Sequence, residues 1–291
     1  MTIWNLGSIN ADLVYSVPHL PAPGETLAAT RVDRFLGGKG TNMSVAAARA
    51  AAHVCHIGAV GADGRWAVER LMEYGVDTRH IAEVAEQTGH AIIAVDAAGE
   101  NQILLYPGAN HAISEDAIGL ALSQAQAGDS LIMQNETNAQ AQAARLGREM
   151  GLRVCYAAAP FSSEAVEAAL PFLDFLILNA VEAEQLAAAT GLQAKDLPIE
   201  DVIVTRGAQG SLWINRSSGE ICEVPARQVT PVDTTGAGDT FTGYVLAGLD
   251  RGMPMPQAMA QATRAAAIMV TRRGTADVIP DLKDVQDARL A

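Results

Sequence analysis

The stretch D-T-T-G-A-G-D, residues 233–239, runs straight into the apolar, small-residue stretch T-F-T-G-Y-V-L-A-G-L, residues 240–249. Two glycines flanking an alanine fill no core; they let a backbone approach something closely. Gly236, Ala237 and Gly238 leave their N–H groups unobstructed, and the helix that they open adds the positive end of its dipole. Together these make an anion site, best suited to a phosphate. Asp239 falls in the first turn of that helix. A carboxylate there can take a proton from an attacking hydroxyl while the amides hold the transferring group. The same residues also read as a glycine turn with Asp239 as a cap. Two other phosphate motifs fail. A G-x-G-x-x-G dinucleotide fingerprint needs glycine where Phe241 stands. A Walker loop needs Ser or Thr where Gly40 follows Gly38-Lys39.

Upstream, the chain alternates between apolar runs and helical patterns. Strands are predicted over 130–134, 153–156, 174–178 and 202–205, with helices over 138–150, 163–170 and 181–190 between them. Such alternation predicts an α/β fold in three layers, a mainly parallel central sheet flanked by helices. Ligands of such sheets collect beyond the C-terminal strand ends. Glu136, Asn179, Glu182, Thr205 and Gly207 fall there, although each alone also reads as a loop or cap residue. A first strand over residues 2–8 is followed by Asn10 and Asp12, which can grip neighbouring hydroxyls of a polyol or form an Asx turn. Three prolines in 18–24 exclude helix, and 27–36 reads as an extended return. Residues 91–96 and 101–106 read as a hairpin. The segments 11–36 and 91–106 thus form a small β-sheet lid of the kind that closes over a site. G-G-K-G-T-N, residues 37–42, opens an Ala-rich helix running to about residue 52. Its glycines would bring backbone near a ligand, with Lys39 and Asn42 as polar hands. No linker interrupts the chain, so one α/β domain over 1–291 is expected.

Hydrophobic residues make up 49% of the chain, which supports a sizeable core, and the net charge is −13. An acidic chain is a poor partner for nucleic acid or anionic membrane. No run of 18 apolar residues and no signal-like N-terminus is visible, so a cytoplasmic location is expected. Cys55, Cys155 and Cys222 lie far apart without metal spacing and read as buried strand thiols. His53 and His56 flank Cys55 but face opposite sides of a strand, which argues against a metal site between them.

The motifs taken together resemble the ribokinase, or PfkB-type, carbohydrate kinases. The matching segments are G-S-I-N-A-D (7–12), P-G-E-T (23–26), G-G-K-G-T-N (37–42), G-A-N (108–110), M-Q-N-E (133–136), N-A-V-E (179–182), T-R-G (205–207) and D-T-T-G-A-G-D, in the family's order. The resemblance implies ATP-dependent phosphorylation of a sugar's primary hydroxyl, with ribose the nearest match. It implies Asp239 as base, and Gly236, Ala237 and Gly238 as the anion hole. Asn10, Asp12, Gly38, Lys39, Asn42 and Glu136 would hold the sugar. Thr205, Gly207, Gly210 and Thr263 would line the nucleotide, and Asn179 and Glu182 would organise Mg²⁺ and phosphates through water. Potassium would sit on the backbone of Asp233, Thr235, Met269, Arg272 and Gly274, and the lids of two copies would form a homodimer. Three positions depart from the family pattern: Ala157-Ala158-Ala159-Pro160, a short 191–201 segment, and Val278. A nucleoside acceptor is the alternative, although aromatic residues for a base pocket are only 4% of the chain. A non-catalytic sugar-binding protein would show damage at the base or anion hole, and the chain shows none.

Overall fold

The computed structural model describes residues 1–289. The elements in order are β1 (Thr2–Leu6), β2 (Asn10–Ser16), β3 (Arg31–Gly37), α1 (Lys39–Arg49), β4 (His53–Val60), α2 (Arg65–Glu73), β5 (Asp77–Glu83), β6 (Gly89–Val95) and β7 (Asn101–Tyr106). Then follow α3 (Glu115–Leu122), β8 (Ser130–Gln134), α4 (Gln140–Glu149), β9 (Arg153–Ala157), α5 (Ser163–Ala169), β10 (Phe175–Asn179), α6 (Ala180–Thr190) and β11 (Asp201–Thr205). The chain continues through β12 (Ser211–Asn215), β13 (Ile221–Val224), α7 (Ala237–Asp250), α8 (Met255–Met269) and α9 (Leu282–Asp287).

Nine strands form one sheet in the order β13-β12-β11-β10-β9-β8-β1-β4-β5. Neighbouring strands run parallel except in the pairs β11–β12 and β12–β13, which are antiparallel. Successive strand side chains point to opposite faces, and the sequence feeds two separate cores accordingly. Ile3, Val54, Ile132, Cys155, Phe175 and Ile203 pack with side chains of α1, α2, α7, α8 and α9 on one face. Trp4, Leu6, Leu131, Val154, Leu176 and Val202 pack with α3, α4, α5 and α6 on the other. This is the expected three-layer α/β arrangement. Ser114 caps α3, with Ala117 N–H donating to Ser114 Oγ at 3.1 Å.

The strand order reverses direction at β1. From there the chain proceeds to β4 on one side and later to β8 on the other. Such a switch point opens a crevice beyond the C-terminal strand ends. Residues 7–9 and 135–136 lie at this crevice.

A second sheet has the order β3-β2-β6-β7. It is built from the two separated segments expected of the small sheet. The register places Leu13, Ile92 and Leu104 side by side on one face, and Asp12, Ala91 and Leu105 on the other. Arg34 of β3 stacks on the Trp66 ring of α2 at 4.2 Å, a cation–π contact with the main body. Among the described residues no helix is long and apolar enough to cross a membrane.

The structure adds one strand that the sequence pattern does not announce. D-T-R-H-I-A-E forms β5 at the sheet edge. Edge strands carry charge, so the apolar signal is weak. Cys55 and Cys155 are buried, but Cys222 is only half-buried, on the edge strand β13, which corrects the expectation of three buried thiols.

Candidate active site

Two helices begin in glycine-rich turns near the crevice, and their N-termini differ in one respect. At α1, every first-turn amide is already taken. Lys39 N–H donates to Glu136 Oε2 at 3.0 Å. Gly40 N–H donates to Ser8 Oγ at 3.2 Å, and Thr41 N–H to the Ser8 carbonyl at 2.9 Å. Gly40 is glycine because a Cβ there would lie 2.3 Å from Gly7 Cα. The close approach expected of this loop is therefore an approach to strand β1, not to a ligand. Gly38 precedes the helix at φ 95°, a conformation that disfavours residues with a Cβ.

At α7 the amides are mostly free. Gly236 caps the helix at φ 76°. Among the described residues the N–H groups of Gly236 and Gly238 donate to nothing. A Cβ on Gly238 would meet nothing within 4 Å, so this glycine is not dictated by packing against the protein. Ala237 differs from the sequence reading of three bare amides: its N–H bonds to the Thr234 carbonyl at 3.2 Å, closing the turn. Unpaired helix N-termini attract anions through N–H donors and the helix dipole.

Asp239 is buried in the first turn of α7. Asn42 Nδ2 donates to its Oδ2 at 2.9 Å. Burial pushes the Asp239 carboxyl above the ordinary carboxylate range, while the Lys39 ammonium and the Asn42 N–H pull it back. Lys39 in turn is held above its usual value, chiefly by Asp239 and further by Glu136 and Glu182. Burial raises Glu182, with Lys39 opposing. One lysine thus faces three carboxyl groups from three elements, which ties α1 electrostatically to α6, α7 and the loop after β8.

The residues expected to hold a polyol gather beside this centre. Glu136 accepts from Ser8 Oγ at 2.5 Å as well as from the Lys39 amide. Asp12 lies on β2, where burial and the nearby Glu136 raise its carboxyl to about 7. Asn10 Oδ1 accepts from Asn110 Nδ2 at 2.7 Å, and Asn110 Oδ1 accepts from Ile9 N–H at 2.8 Å. Asn10, Asn110, Glu136, His111 and Leu105 of β7 line a cavity of about 190 Å³.

The remaining sequence candidates spread along the strand ends. Asn179 and Glu182 form a reciprocal capping box on α6, each bond 2.8 Å. This engages Asn179 Oδ1 and Glu182 Oε2 and leaves Glu182 Oε1 for other partners. Thr205 ends β11, its hydroxyl 3.4 Å from the Leu178 carbonyl. Gly207 and Gly210 form the turn into β12, and the Thr263 hydroxyl bonds within α8 to the Met259 carbonyl at 2.8 Å. Asp233 accepts from Thr235 N–H at 2.9 Å and from Gly274 N–H at 3.3 Å, tying the loop before α7 to the loop after α8. Met269 Sδ accepts from Thr240 Oγ1 at 2.7 Å, while Arg272 N–H bonds to the Met269 carbonyl at 2.9 Å. Val278 lies against Gly274, and the short 191–201 segment keeps one 3₁₀ turn, Ala194–Asp196.

The chain matches the pfkB family carbohydrate kinases over residues 2–282. It belongs to that family. The ribokinase of Haemophilus influenzae is 36% identical over 294 residues, covering 96% of this chain and 95% of that protein. The deoxyribokinase of Salmonella typhi is 31% identical, covering 99% of this chain and 98% of that protein. The structure of Arabidopsis thaliana ribokinase complexed with ribose and ATP aligns with a TM-score of 0.86 at 26% identity, over 98% of this chain and 97% of that one. The kinase is thus a phosphotransferase that acts on a hydroxyl group.

Sequence reasoning missed the buried network under this site. His56 Nε2 faces the Gly7 carbonyl at 3.0 Å, so that nitrogen carries the proton. Its Nδ1 then accepts from Ser44 Oγ at 2.8 Å, and Ser44 Oγ accepts from Asn5 Nδ2 at 2.8 Å. Asn5 Nδ2 also reaches the Gly40 carbonyl at 2.8 Å, and Gln134 Nε2 donates to Asn5 Oδ1 at 2.9 Å. These side chains fix the Gly7–Gly40 contact from below. The available signal was one polar residue each, Asn5, Ser44 and His56, inside three largely apolar or small-residue elements.

Proposed function

We propose that this kinase transfers the γ-phosphate of ATP to the primary hydroxyl of D-ribose, giving D-ribose 5-phosphate. The observation that carries the reading is the contrast between the two helix N-termini. The amides of α1 are spent, while those of Gly236 and Gly238 are bare beside a buried carboxylate. Of these two termini only that of α7 has donors to spare for a phosphoryl group, and the proposed base stands next to it.

On this reading the sugar lies in the cavity between the two sheets. Asn10, Asp12, Lys39, Asn42 and Glu136 hold its hydroxyls, with Gly38 giving backbone access. Asp12 releases its proton only near neutrality, so hydroxyl donors from a sugar favour its charged form. Asp239 accepts the hydroxyl proton as the sugar oxygen attacks the γ-phosphorus. Its burial above the usual carboxylate range brings it closer to the pH at which a base works well. The amides of Gly236 and Gly238, with the dipole of α7, stabilise the equatorial oxygens; Ala237 joins them if its turn bond opens. Lys39 balances the charge gathered by Asp239, Glu136 and Glu182.

The residues fit a magnesium ion held through water: Glu182 retains one carboxylate oxygen, and Mg²⁺ takes few protein ligands beside substrate phosphates. Bound there with Asn179 nearby, the ion would neutralise phosphate charge. Thr205, Gly207, Gly210 and Thr263 would face the nucleotide. Asp233 closes the paired loops whose carbonyls, with those of Thr235, Met269, Arg272 and Gly274, would hold potassium. The chain would act as one unit over 1–291, with 11–36 and 91–106 as the lid, in the cytoplasm and as a homodimer joined through the lid.

Aromatic residues that could build a base pocket are only 4% of the chain, which favours a pentose over a nucleoside. The test is ADP release with ribose, 2-deoxyribose, hexoses and nucleosides, each with and without K⁺. Ribose is expected to give the highest kcat/KM. Silence with ribose, alongside turnover of a nucleoside or another sugar, would remove ribose as the acceptor.

A further inference from the structure

We propose that His53, Cys55 and Asp77 form a binding site for a borderline divalent cation of the zinc class, at the end of the sheet away from the active site. β4 opens with H-V-C, and residues two apart on a strand face the same way. His53 and Cys55 therefore share a face, unlike His53 and His56. β5 runs parallel to β4, and Asp77 is the register partner of Cys55. One ring nitrogen of His53, the Cys55 sulfur and one Asp77 carboxylate oxygen all lie within 4.8 Å of one another. Cys55 is buried, Asp77 half-buried and His53 exposed, which gives a closed floor and an open rim.

Two further observations bear on the site. The β4–β5 register slips immediately beyond it, since Cys55 opposes Asp77 but Ile57 opposes His80. Bulges of this kind re-aim side chains and recur beside functional sites. A cation also already faces Asp77: Arg79 Nη2 is 2.6 Å from Oδ2, and Arg79 Nε is 3.0 Å from both carboxylate oxygens. Arg79 is exposed and free to turn into water.

The donor set selects the ion. Nitrogen, thiolate and carboxylate together suit zinc-class metals, whereas magnesium takes oxygen ligands alone. Zinc holds such ligands at about 2.0–2.3 Å, so small side-chain rotations close the present spacing. On binding, the Cys55 thiol loses its proton to solvent and the thiolate bonds the metal. His53 binds as neutral imidazole, Asp77 exchanges Arg79 for the metal, and water supplies the fourth ligand. The result is a clamp on the edge strand β5. The run of β4 from His53 and Cys55 to Val60 sets the clamp roughly 20 Å from the strand ends that face the sugar.

The probe is Co²⁺ alone, titrated into the full chain after chelator treatment and without nucleotide. One equivalent should bind with visible bands of tetrahedral Co²⁺ and a thiolate charge-transfer band. Cys55→Ala should abolish the charge-transfer band, and His53→Ala should weaken binding by at least about tenfold. Arg79→Ala, a surface change that leaves all three ligands in place, should tighten it. Cys222→Ser should leave the spectrum unchanged. A wild-type chain without the thiolate band, a band that survives Cys55→Ala, or binding weakened by Arg79→Ala would each overturn the proposal.

Discussion

At the residue scale the proposed transfer turns on Asp239. The D-T-T-G-A-G-D motif makes this carboxylate legible in the sequence, because glycines ahead of an acid suit an anion site, although the same residues also read as a capped turn. What the motif does not disclose is the company that Asp239 keeps. Asn42, its hydrogen-bond donor, lies 197 positions away. Nor does it disclose that Ala237 spends its amide on the turn, a matter of local backbone geometry rather than residue type. Asp239→Asn keeps the size of the group and removes its basicity. It should lower kcat by roughly 10²–10⁴ while leaving the KM for ribose nearly unchanged. Steady-state kinetics on the purified variant would check this, and a variant turning over at the wild-type rate would leave Asp239 without its role as base.

At the scale of elements, apolar periodicity carries the fold. The strands and helices from β8 to α6 follow from it within a residue or two, since each strand feeds two cores and each helix covers one of them. The edge strand β5 escapes because five of its seven residues, Asp77, Thr78, Arg79, His80 and Glu83, are polar or charged, as an edge demands. The support beneath α1 escapes for another reason. Its links join β1, α1, β4 and β8, and no spacing within one element reveals them. That support has a measurable signature. His56 is wholly buried and neutral, with burial lowering it to about 4 against the Gly7 hydrogen bond. Unfolded, the ring titrates near the usual value of about 6.5. The unfolded chain therefore binds the extra proton first. His56 contributes stability that is fully present above about pH 6.5 and is lost as pH falls toward 4. Urea unfolding at a series of pH values should show this slope in the wild type and a flatter one in His56→Gln. Parallel pH profiles for the two proteins would show that the histidine stays out of the linkage.

At the scale of the whole molecule, the second sheet leaves apolar surface on both faces. Leu104 is 65% exposed and Ile103 54%, on opposite sides of β7. Val32, Ile92, Leu105 and Tyr106 add to the same small sheet. Contiguous exposure of this kind marks contact surfaces, which supports the proposed homodimer. Sedimentation of the wild type, Ile103→Glu and Leu104→Glu should find a dimer that at least one charged variant splits. A monomeric wild type, or two variants that remain dimeric, would count against association through this sheet. Leu105 gives the arrangement a further meaning, since it belongs to the same strand and also walls the cavity beside Asn10 and Glu136 in which the sugar is proposed to lie. A neighbour pressed against β7 would brace that wall, and dilution would withdraw the brace. Affinity for the polyol would then weaken as the enzyme grows scarce, so that the wall of the pocket reports on how crowded its owner is.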